Sequence, residues 1–289
     1  MVFDKKRLFA VSPIIHMINV IILLFETIVI STLLFALLVK KAKIKKNTMY
    51  HENIFIIIIS FCIQFILIMA FHIPLFINIF IINPIVVSFS LACLTVFYFY
   101  RDPHRTHNAA LDDILSPADG FILYIKEIEN NEIPISVKGK AIFKLKELMK
   151  TDIVAESCWL VGIVMTLFDV HVNRSPCSGK IICNEYFKGK FLSLKKAESE
   201  LENERHTIVI ENDLGKIAII RIASKRVRGI RTYVTSGQNI ETGQKIGKIV
   251  FGSQTDIVIP FHCEIKVEIG KWVQAGKTII ATKKKKITI

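Results

Sequence analysis

The sequence predicts a mainly β domain, barrel- or sandwich-like and built on a duplicated hairpin, preceded by N-terminal transmembrane or re-entrant helices. Three observations predict this fold class. The N-terminal part is apolar over stretches of membrane length, the remainder consists of short β-like runs between turn residues, and two pairs of segments repeat each other. With 289 residues, the chain has room for one or two domains.

The apolar residues of the N-terminal part form three runs, residues 13–39, 54–71 and 73–100. A helix of about 20 apolar residues spans a bilayer, so the first run qualifies, and the other two are predicted to form a hairpin or a re-entrant pair. Core helices of soluble proteins seldom stay apolar on every face for this length. The first run also exceeds a signal-peptide core, and no small-residue cleavage site follows it. We therefore expect residues 1–100 to anchor the chain in the cell membrane and residues 101–289 to form a second domain.

The formal net charge of +13 includes five lysines in a basic loop at residues 40–46. The positive-inside rule predicts that this loop is cytoplasmic, and a return pass would bring Arg101 and Arg105 to the same side. Residues 5–7 are basic as well and favour the opposite side if the first run spans, so the number and direction of the spans stay open. Basic residues also occur in nucleic-acid-binding proteins, but the chain has no recognition motif of that kind. We expect an anionic membrane as partner, with the second domain on its cytoplasmic side, and no nucleic acid.

The six cysteines include no CxxC pair, so the sequence predicts neither a zinc site nor a dithiol redox site. No metal ligand set and no disulfide framework are expected.

From residue 115 onward, short β-like runs alternate with Gly, Pro and Asn, which is typical of an all-β sandwich or barrel. These runs are residues 121–125, 160–167, 207–211, 216–222 and 229–234. Only residues 145–149 and 193–204 have a helical pattern.

Two internal repeats indicate duplication. "SPADGFI" from Ser116 and "SPCSGKI" from Ser175 share the frame Ser-Pro-x-x-Gly-x-Ile. "VTSGQNIETGQKIGKI" from Val234 and "VEIGKWVQAGKTIIAT" from Val267 have two glycines and an intervening apolar residue at the same offsets. Repeated turns between repeated strand pairs predict a duplicated hairpin unit, although glycine-rich turns can also match by chance.

Gly252-Ser253 lies between the two late copies, in "KIVFGSQTDIVIP". A turn is the ordinary interpretation of Gly-Ser. The alternative is a reactive peptide bond, in which the Ser253 hydroxyl attacks the Gly252 carbonyl. The resulting ester would eliminate to dehydroalanine, which hydrolyses to a pyruvoyl group. Serine needs a base and a group that orients the base. His171 and Asp119 are the candidates because they occupy or adjoin the paired Ser-Pro frames, although a structural histidine and a turn aspartate remain possible.

Five motifs occur in order: "FYRDPHR" (99–105), "ILSPADG" (114–120), "FDVHVNRSPCSGKI" (168–181), "ENERHTIVI" (202–210) and "IGKIVFGSQTDIVIP" (246–260). Together they resemble the phosphatidylserine decarboxylase family, specifically its short-form, membrane-associated branch. The resemblance covers about residues 97–289.

This resemblance implies self-cleavage between Gly252 and Ser253 into chains 1–252 and 253–289, which stay associated. Ser253 would become the covalent pyruvoyl cofactor. The pyruvoyl ketone would form a Schiff base with phosphatidylserine and accept electrons as carbon dioxide leaves, giving phosphatidylethanolamine.

The chain departs from the family pattern at two positions. Long-form members have two histidines three residues apart, and the later one acts in cleavage. His171 matches the earlier histidine, and Arg174 stands at the later position. Either His171 therefore serves both self-cleavage and decarboxylation, or another group drives cleavage. Gln254 stands where long forms have threonine, and its effect on cleavage is open.

Asn173, Arg174 and Arg205 lie inside the shared motifs and are candidate substrate-binding residues. Arginine suits phosphate and carboxylate through its planar fork. An equal alternative is that these three side chains hold loops together.

Other functions fit parts of the sequence. The headgroup chemistry applies equally to archaetidylserine or another serine lipid. The glycine pattern of the late repeats also resembles lipoyl and biotinyl carrier modules, but those present a lysine at the hairpin tip, where this chain has Ser253. An uncleaved, inactive relative and a homo-oligomer also stay open.

Overall fold

The computed structural model describes most of the chain, in two compact units, Met1–Tyr98 and Phe99–Ile289. The described residues are 5–42, 46–71, 73–129, 132–133, 143–144, 148–149, 157–192, 202–224, 229–250 and 253–284.

The first unit consists of helices. In chain order they are α1 (Lys5–Ala42), α2 (Lys46–Phe71), the short α3 (Leu75–Ile77), a π-helical turn (Asn78–Ile82) and α4 (Asn83–Tyr100). Among the described residues, three segments are long and apolar enough to cross a membrane, namely Met17–Lys40, His51–Phe71 and Leu75–Tyr100. The prediction of N-terminal transmembrane or re-entrant helices is confirmed in this sense. Their large apolar side chains are mostly exposed, as expected of helices that face lipid.

Polar side chains connect these helices on their inner faces. Asn83 Oδ1 accepts hydrogen bonds from Gln64 Nε2 at 2.6 Å and from Thr27 Oγ1 at 3.3 Å. Asn83 thereby joins α4 to α2 and α1. Such bonds stabilise helix packing where the surroundings offer no other partner.

The second unit is built from antiparallel strands. In chain order they are β1 (Asp113–Leu115), β2 (Gly120–Ile128), β3 (Glu132–Ile133), β4 (Phe143–Lys144), β5 (Cys158–Val164), β6 (Val172–Arg174), β7 (Gly179–Phe187), β8 (Arg205–Asn212), β9 (Gly215–Ala223), β10 (Gly229–Thr232), β11 (Asn239–Ile240), β12 (Lys245–Val250), β13 (Ser253–Pro260), β14 (Cys263–Ile265), β15 (Trp272–Val273) and β16 (Ile279–Lys283). The mainly β fold class is confirmed.

An eight-stranded sheet in the order β11-β7-β8-β9-β13-β5-β2-β15 forms the centre of this unit. Two three-stranded sheets, β10-β12-β6 and β1-β16-β14, and the pair β3-β4 complete it. Side chains alternate between the faces of a strand, so the large sheet buries apolar residues on both faces. Ile219 and Ile257 belong to one buried cluster, whereas Ile220 and Val258 belong to a second.

The duplication predicted from sequence is visible in the two Ser-Pro frames. The hydroxyl of Ser116 donates to the carbonyl of Ala118 at 2.6 Å, and the hydroxyl of Ser175 donates to that of Cys177 at 2.6 Å. The two frames therefore form the same tight turn.

Each late hairpin contacts one of these frames through its second glycine. The amide of Gly243 donates to the carbonyl of Ser175 at 2.9 Å, and that of Gly276 donates to Ser116 at 2.8 Å. The repeated sequences therefore form repeated contacts.

The two predicted helices fall mostly outside the described residues. Residues 148–149 and residue 202 are helical, while the remainder of both segments, apart from Asn203 and Glu204, is not described.

Candidate active site

The predicted cleavage site lies between strands β12 and β13. Gly252 is outside the described residues. Ser253 begins β13, where its backbone pairs with Ala223 of β9.

The chain on both sides of this site is bound to the segment that contains His171 and Asn173. On the upstream side, β12 pairs with β6, and the amide of Ile249 donates to the carbonyl of His171 at 3.2 Å. On the downstream side, Asn173 Nδ2 donates to Thr255 Oγ1 at 3.4 Å. The candidate base is therefore close in the fold to both flanks of the candidate bond.

His171 is buried, with 2% of its surface exposed. Its Nδ1 lies 2.8 Å from the carbonyl oxygen of Asp169. A carbonyl only accepts, so Nδ1 carries the proton and the neutral ring presents a lone pair at Nε2. Within the described part of the chain, Nε2 is buried and has no hydrogen-bond partner.

Burial lowers the pKa of His171 to about 4. The hydrogen bond to Asp169 and the charge of Asp119 act in the opposite direction, while Arg101 lowers the pKa further. His171 is therefore neutral at pH 7 and can accept a proton.

Asp119 is buried and fully engaged. Its carboxylate accepts hydrogen bonds from Arg105 Nη1 at 2.5 Å and Nη2 at 2.7 Å, and from the amide of Ala275 at 2.7 Å. Asp119 thus forms a bidentate ion pair, and its charge reaches His171 through space.

Arg174 is buried and directed at the main chain and at one carboxylate. Its guanidinium donates to the carbonyl of Gly243 at 3.1 Å, to the carbonyl of Pro103 at 3.0 Å and to Asp102 Oδ1 at 3.3 Å. These contacts correspond to the loop-holding alternative. As a substrate contact, Arg174 stays a prediction.

Asn173 and Arg205 differ in their surroundings. Asn173 follows His171 by two residues and is completely buried, and its Oδ1 has no partner within the described residues. Arg205 donates to the carbonyls of Leu148 at 2.6 Å and Asn203 at 3.2 Å. As a substrate contact, Arg205 also stays a prediction.

Sequence reasoning did not single out three residues that surround this site. Arg105 pairs with Asp119, Phe99 lies with its ring centroid 4.0 Å from that of His171, and Asp169 holds the His171 proton through its carbonyl. The carboxylate of Asp169 accepts from the Thr166 amide at 2.7 Å and from Trp272 Nε1 at 2.9 Å. All three lie in the motifs "FYRDPHR" and "FDVHVNR", so membership of these motifs is the sequence feature that could have indicated them.

Arg221 and His206 form a second buried polar pair on neighbouring strands. Arg221 Nη2 lies 2.9 Å from His206 Nδ1, and Arg221 Nη1 donates to the carbonyl of Arg231 at 2.8 Å. Burial lowers the pKa of His206 to about 3, and the charge of Arg221 adds to this effect.

The chain matches the family model described as phosphatidylserine decarboxylase over residues 94–281. Curated relatives align over a similar length. The "Putative archaetidylserine decarboxylase proenzyme" of Methanocaldococcus jannaschii is 38% identical over 195 residues, which are 68% of this chain and 92% of the relative.

Two bacterial relatives are named phosphatidylserine decarboxylase proenzyme. That of Prosthecochloris aestuarii is 35% identical over 198 residues, covering 68% of this chain and 82% of the relative. That of Geotalea uraniireducens is 31% identical over 193 residues, covering 66% and 81%.

Proposed function

The chain belongs to the phosphatidylserine decarboxylase family, and from this premise we propose that it decarboxylates phosphatidylserine to phosphatidylethanolamine after cleaving itself between Gly252 and Ser253. One structural observation supports this most directly. A buried, neutral histidine with a vacant lone pair belongs to the segment that binds both flanks of the Gly252-Ser253 bond.

His171 is the proposed base of the cleavage step. Its Nε2 takes the proton of the Ser253 hydroxyl as the oxygen bonds to the Gly252 carbonyl carbon. The proton then passes to the Ser253 nitrogen as the peptide bond breaks and an ester remains. While the ring is protonated, the Asp169 carbonyl and the Asp119 charge stabilise it.

If Ser253 is converted to a pyruvoyl group, that group would supply an electron-withdrawing ketone as the electron acceptor for decarboxylation. The surroundings suit such a group, because His171 Nε2 and Asn173 Oδ1 are buried polar atoms without partners in the described part of the chain. Buried polar groups are normally hydrogen-bonded. We therefore propose that Asn173 and His171 orient the reacting headgroup and hold its protons.

The two chains produced by cleavage, 1–252 and 253–289, would stay associated. Strand β13 lies between β5 and β9 and pairs with both. These ladders do not depend on the bond that breaks.

We also propose a membrane-anchored enzyme, with residues 1–100 as the anchor and residues 101–289 as the decarboxylase domain on the cytoplasmic side. The three apolar helices and the basic loop at 40–46 support this arrangement. An anionic leaflet that contains the substrate would attract such a loop.

A second candidate substrate is archaetidylserine. Two relatives carry that lipid in their names, at 38% and 37% identity. Both lipids share the serine headgroup, so residues near the reacting bond do not separate them. Assays of the purified enzyme with each lipid would decide between them.

The decisive experiment is electrophoresis and intact-mass analysis of wild type and Ser253→Ala. We expect wild type to give fragments 1–252 and 253–289, the smaller with a blocked, ketone-bearing terminus. Ser253→Ala should give one inactive chain, because alanine has no hydroxyl for the attack. Ser236→Ala, in an exposed turn, is the matched control and should split as wild type does. An active wild-type enzyme that stays in one piece would refute the mechanism.

A further inference from the structure

Gln254, the residue after Ser253, belongs to a hydrogen-bonded cluster of three side chains, Gln254, Tyr124 and Asp256, which we call the Gln254 clamp. Gln254 Nε2 donates to the Tyr124 hydroxyl oxygen at 2.8 Å and to Asp256 Oδ1 at 2.8 Å. The Tyr124 hydroxyl donates to Asp256 Oδ2 at 2.7 Å. Gln254 is 2% exposed and Asp256 is completely buried.

The clamp requires Tyr124 to reach across an intervening strand. Tyr124 in β2 pairs with Gly162 in β5, and Gly162 pairs with Asp256 in β13. A Cβ atom at Gly162 would lie only 2.5 Å from Cζ of the Tyr124 ring. The tyrosine therefore crosses β5 over the one position that has no side chain. Glycine inside a strand often marks such a close approach.

The clamp fixes the backbone of Gln254. Both amide hydrogens of its side chain have acceptors, one of them on Asp256, two residues further along the same face of the strand. Burying an amide and a carboxylate is unfavourable unless they are hydrogen-bonded, so other rotamers of Gln254 are strongly disfavoured. The backbone nitrogen of Gln254 is bonded to the carbonyl carbon of Ser253, so a fixed Gln254 also fixes the peptide plane next to the reacting residue.

We propose that the Gln254 clamp positions the Ser253-Gln254 peptide for self-cleavage, with Gln254 as a positioning residue. The inference rests on the proposed function and adds to it a role for the glutamine at which this chain departs from the long-form pattern. The clamp takes no part in bond making. It holds the reacting groups in the geometry that the attack needs. Misplacement of reacting groups by about 1 Å can slow a reaction as much as a hundredfold.

The test measures the first-order rate of cleavage of newly made full-length precursor. We expect Gln254→Ala to slow cleavage about tenfold, because the Ser253-Gln254 peptide next to the reacting bond is no longer held. Tyr124→Phe removes one hydroxyl and keeps the ring, and should slow cleavage about fivefold.

The matched control is Thr207→Val, which removes a different buried hydrogen bond on the same face of the sheet. The Thr207 hydroxyl donates to the carbonyl of Met149 at 2.8 Å. The Thr207→Val substitution should lower the melting temperature about as much as Tyr124→Phe does, and it should leave the cleavage rate unchanged. Slower cleavage in the clamp variants without a matching effect in the control supports positioning.

Two results would overturn the inference. One is cleavage of Tyr124→Phe and Gln254→Ala at the wild-type rate. The other is equal slowing in Thr207→Val, which would make the effect one of general stability. In both cases the proposed function stands as long as wild type splits and Ser253→Ala does not. If Gln254→Ala does not fold, Tyr124→Phe alone decides between these outcomes.

Discussion

Asp119 carries a buried carboxylate that accepts hydrogen bonds from two separate parts of the second unit. Arg105 binds it through both terminal nitrogens, and the amide of Ala275 binds it from the second late hairpin. The side chains of Arg105 and Asp119 are only 6% and 1% exposed. Breaking a buried bidentate pair of this kind strongly destabilises the fold, because removal of one partner leaves the other charged and unpaired.

We therefore predict that Asp119→Ala lowers the free energy of unfolding by about 3–5 kcal/mol. Chemical denaturation of the uncleaved Ser253→Ala background would measure it without interference from processing. Glu202→Ala is the control, because it breaks an exposed pair with Lys190 and should change stability by less than about 1 kcal/mol. If Asp119→Ala leaves stability unchanged in this background but abolishes cleavage when Ser253 is present, Asp119 would instead belong to the proton relay.

The sequence was sufficient to propose Ser253, His171 and Asp119, because each lies in a motif whose spacing is local. The protonation state of His171 was not predictable, since it depends on burial and on the Asp169 carbonyl. The partner of Asp119 was not predictable either. Arg105 is fourteen residues away in sequence, and no pattern of charges links the two.

The late hairpins show how repeated sequence produces two different environments for glycine. In the second copy, Gly270 and Gly276 both have positive φ, +84° and +66°. A Cβ at Gly270 would meet nothing within 4 Å, whereas one at Gly276 would lie 2.8 Å from Arg174 Cδ. The first glycine serves the turn, and the second also packs against the segment that contains the candidate site.

We predict that Gly276→Ala is more destabilising than Gly270→Ala. Both substitutions place a side chain in the left-handed backbone region, which lowers the free energy of unfolding by about 1 kcal/mol. Only Gly276→Ala adds a contact that displaces Arg174, and this overpacking lowers the free energy of unfolding by roughly a further 1–3 kcal/mol. Thermal unfolding monitored by circular dichroism would compare the two. Equal melting temperatures would mean that Arg174 moves aside freely and does not fix the loop.

Strands and turns could be predicted because alternation and turn residues are local signals. The sheet order could not. Strand β13 lies between β5 and β9, and the short β15 pairs with β2, so the ladders join residues that are far apart in sequence. The repeats did predict a duplicated hairpin unit, and the structure adds that Gly243 and Gly276 make equivalent contacts with their Ser-Pro frames.

At the scale of the whole molecule, the family match begins at residue 94, close to the boundary between the two units. The three apolar helices therefore lie almost entirely before the part that the family model matches. Their composition predicts insertion into lipid, and the polar bonds at Asn83 provide contacts among them.

The second unit as a whole should become less stable in mild acid, because it buries two histidines in neutral form. Burial lowers the pKa of His171 to about 4 and that of His206 to about 3. In the unfolded chain, histidine titrates near about 6.5. Below this pH the unfolded chain binds more protons than the folded one, so the free energy of unfolding falls as the pH drops from about 6.5 towards 4. Burial raises the pKa of Asp169, and this acts in the opposite direction.

Substitution of His206 isolates one of these contributions. His206→Asn keeps an acceptor for Arg221 and removes the titrating ring, so we predict a smaller drop in melting temperature between pH 7 and pH 5 than in wild type. His107→Asn, at an exposed position, should keep the wild-type pH dependence. Melting of the full chain in detergent, in the Ser253→Ala background, measures both. An unchanged slope in His206→Asn would mean that this ring takes up protons alike in the folded and the unfolded chain, so that burial beside Arg221 does not keep it neutral.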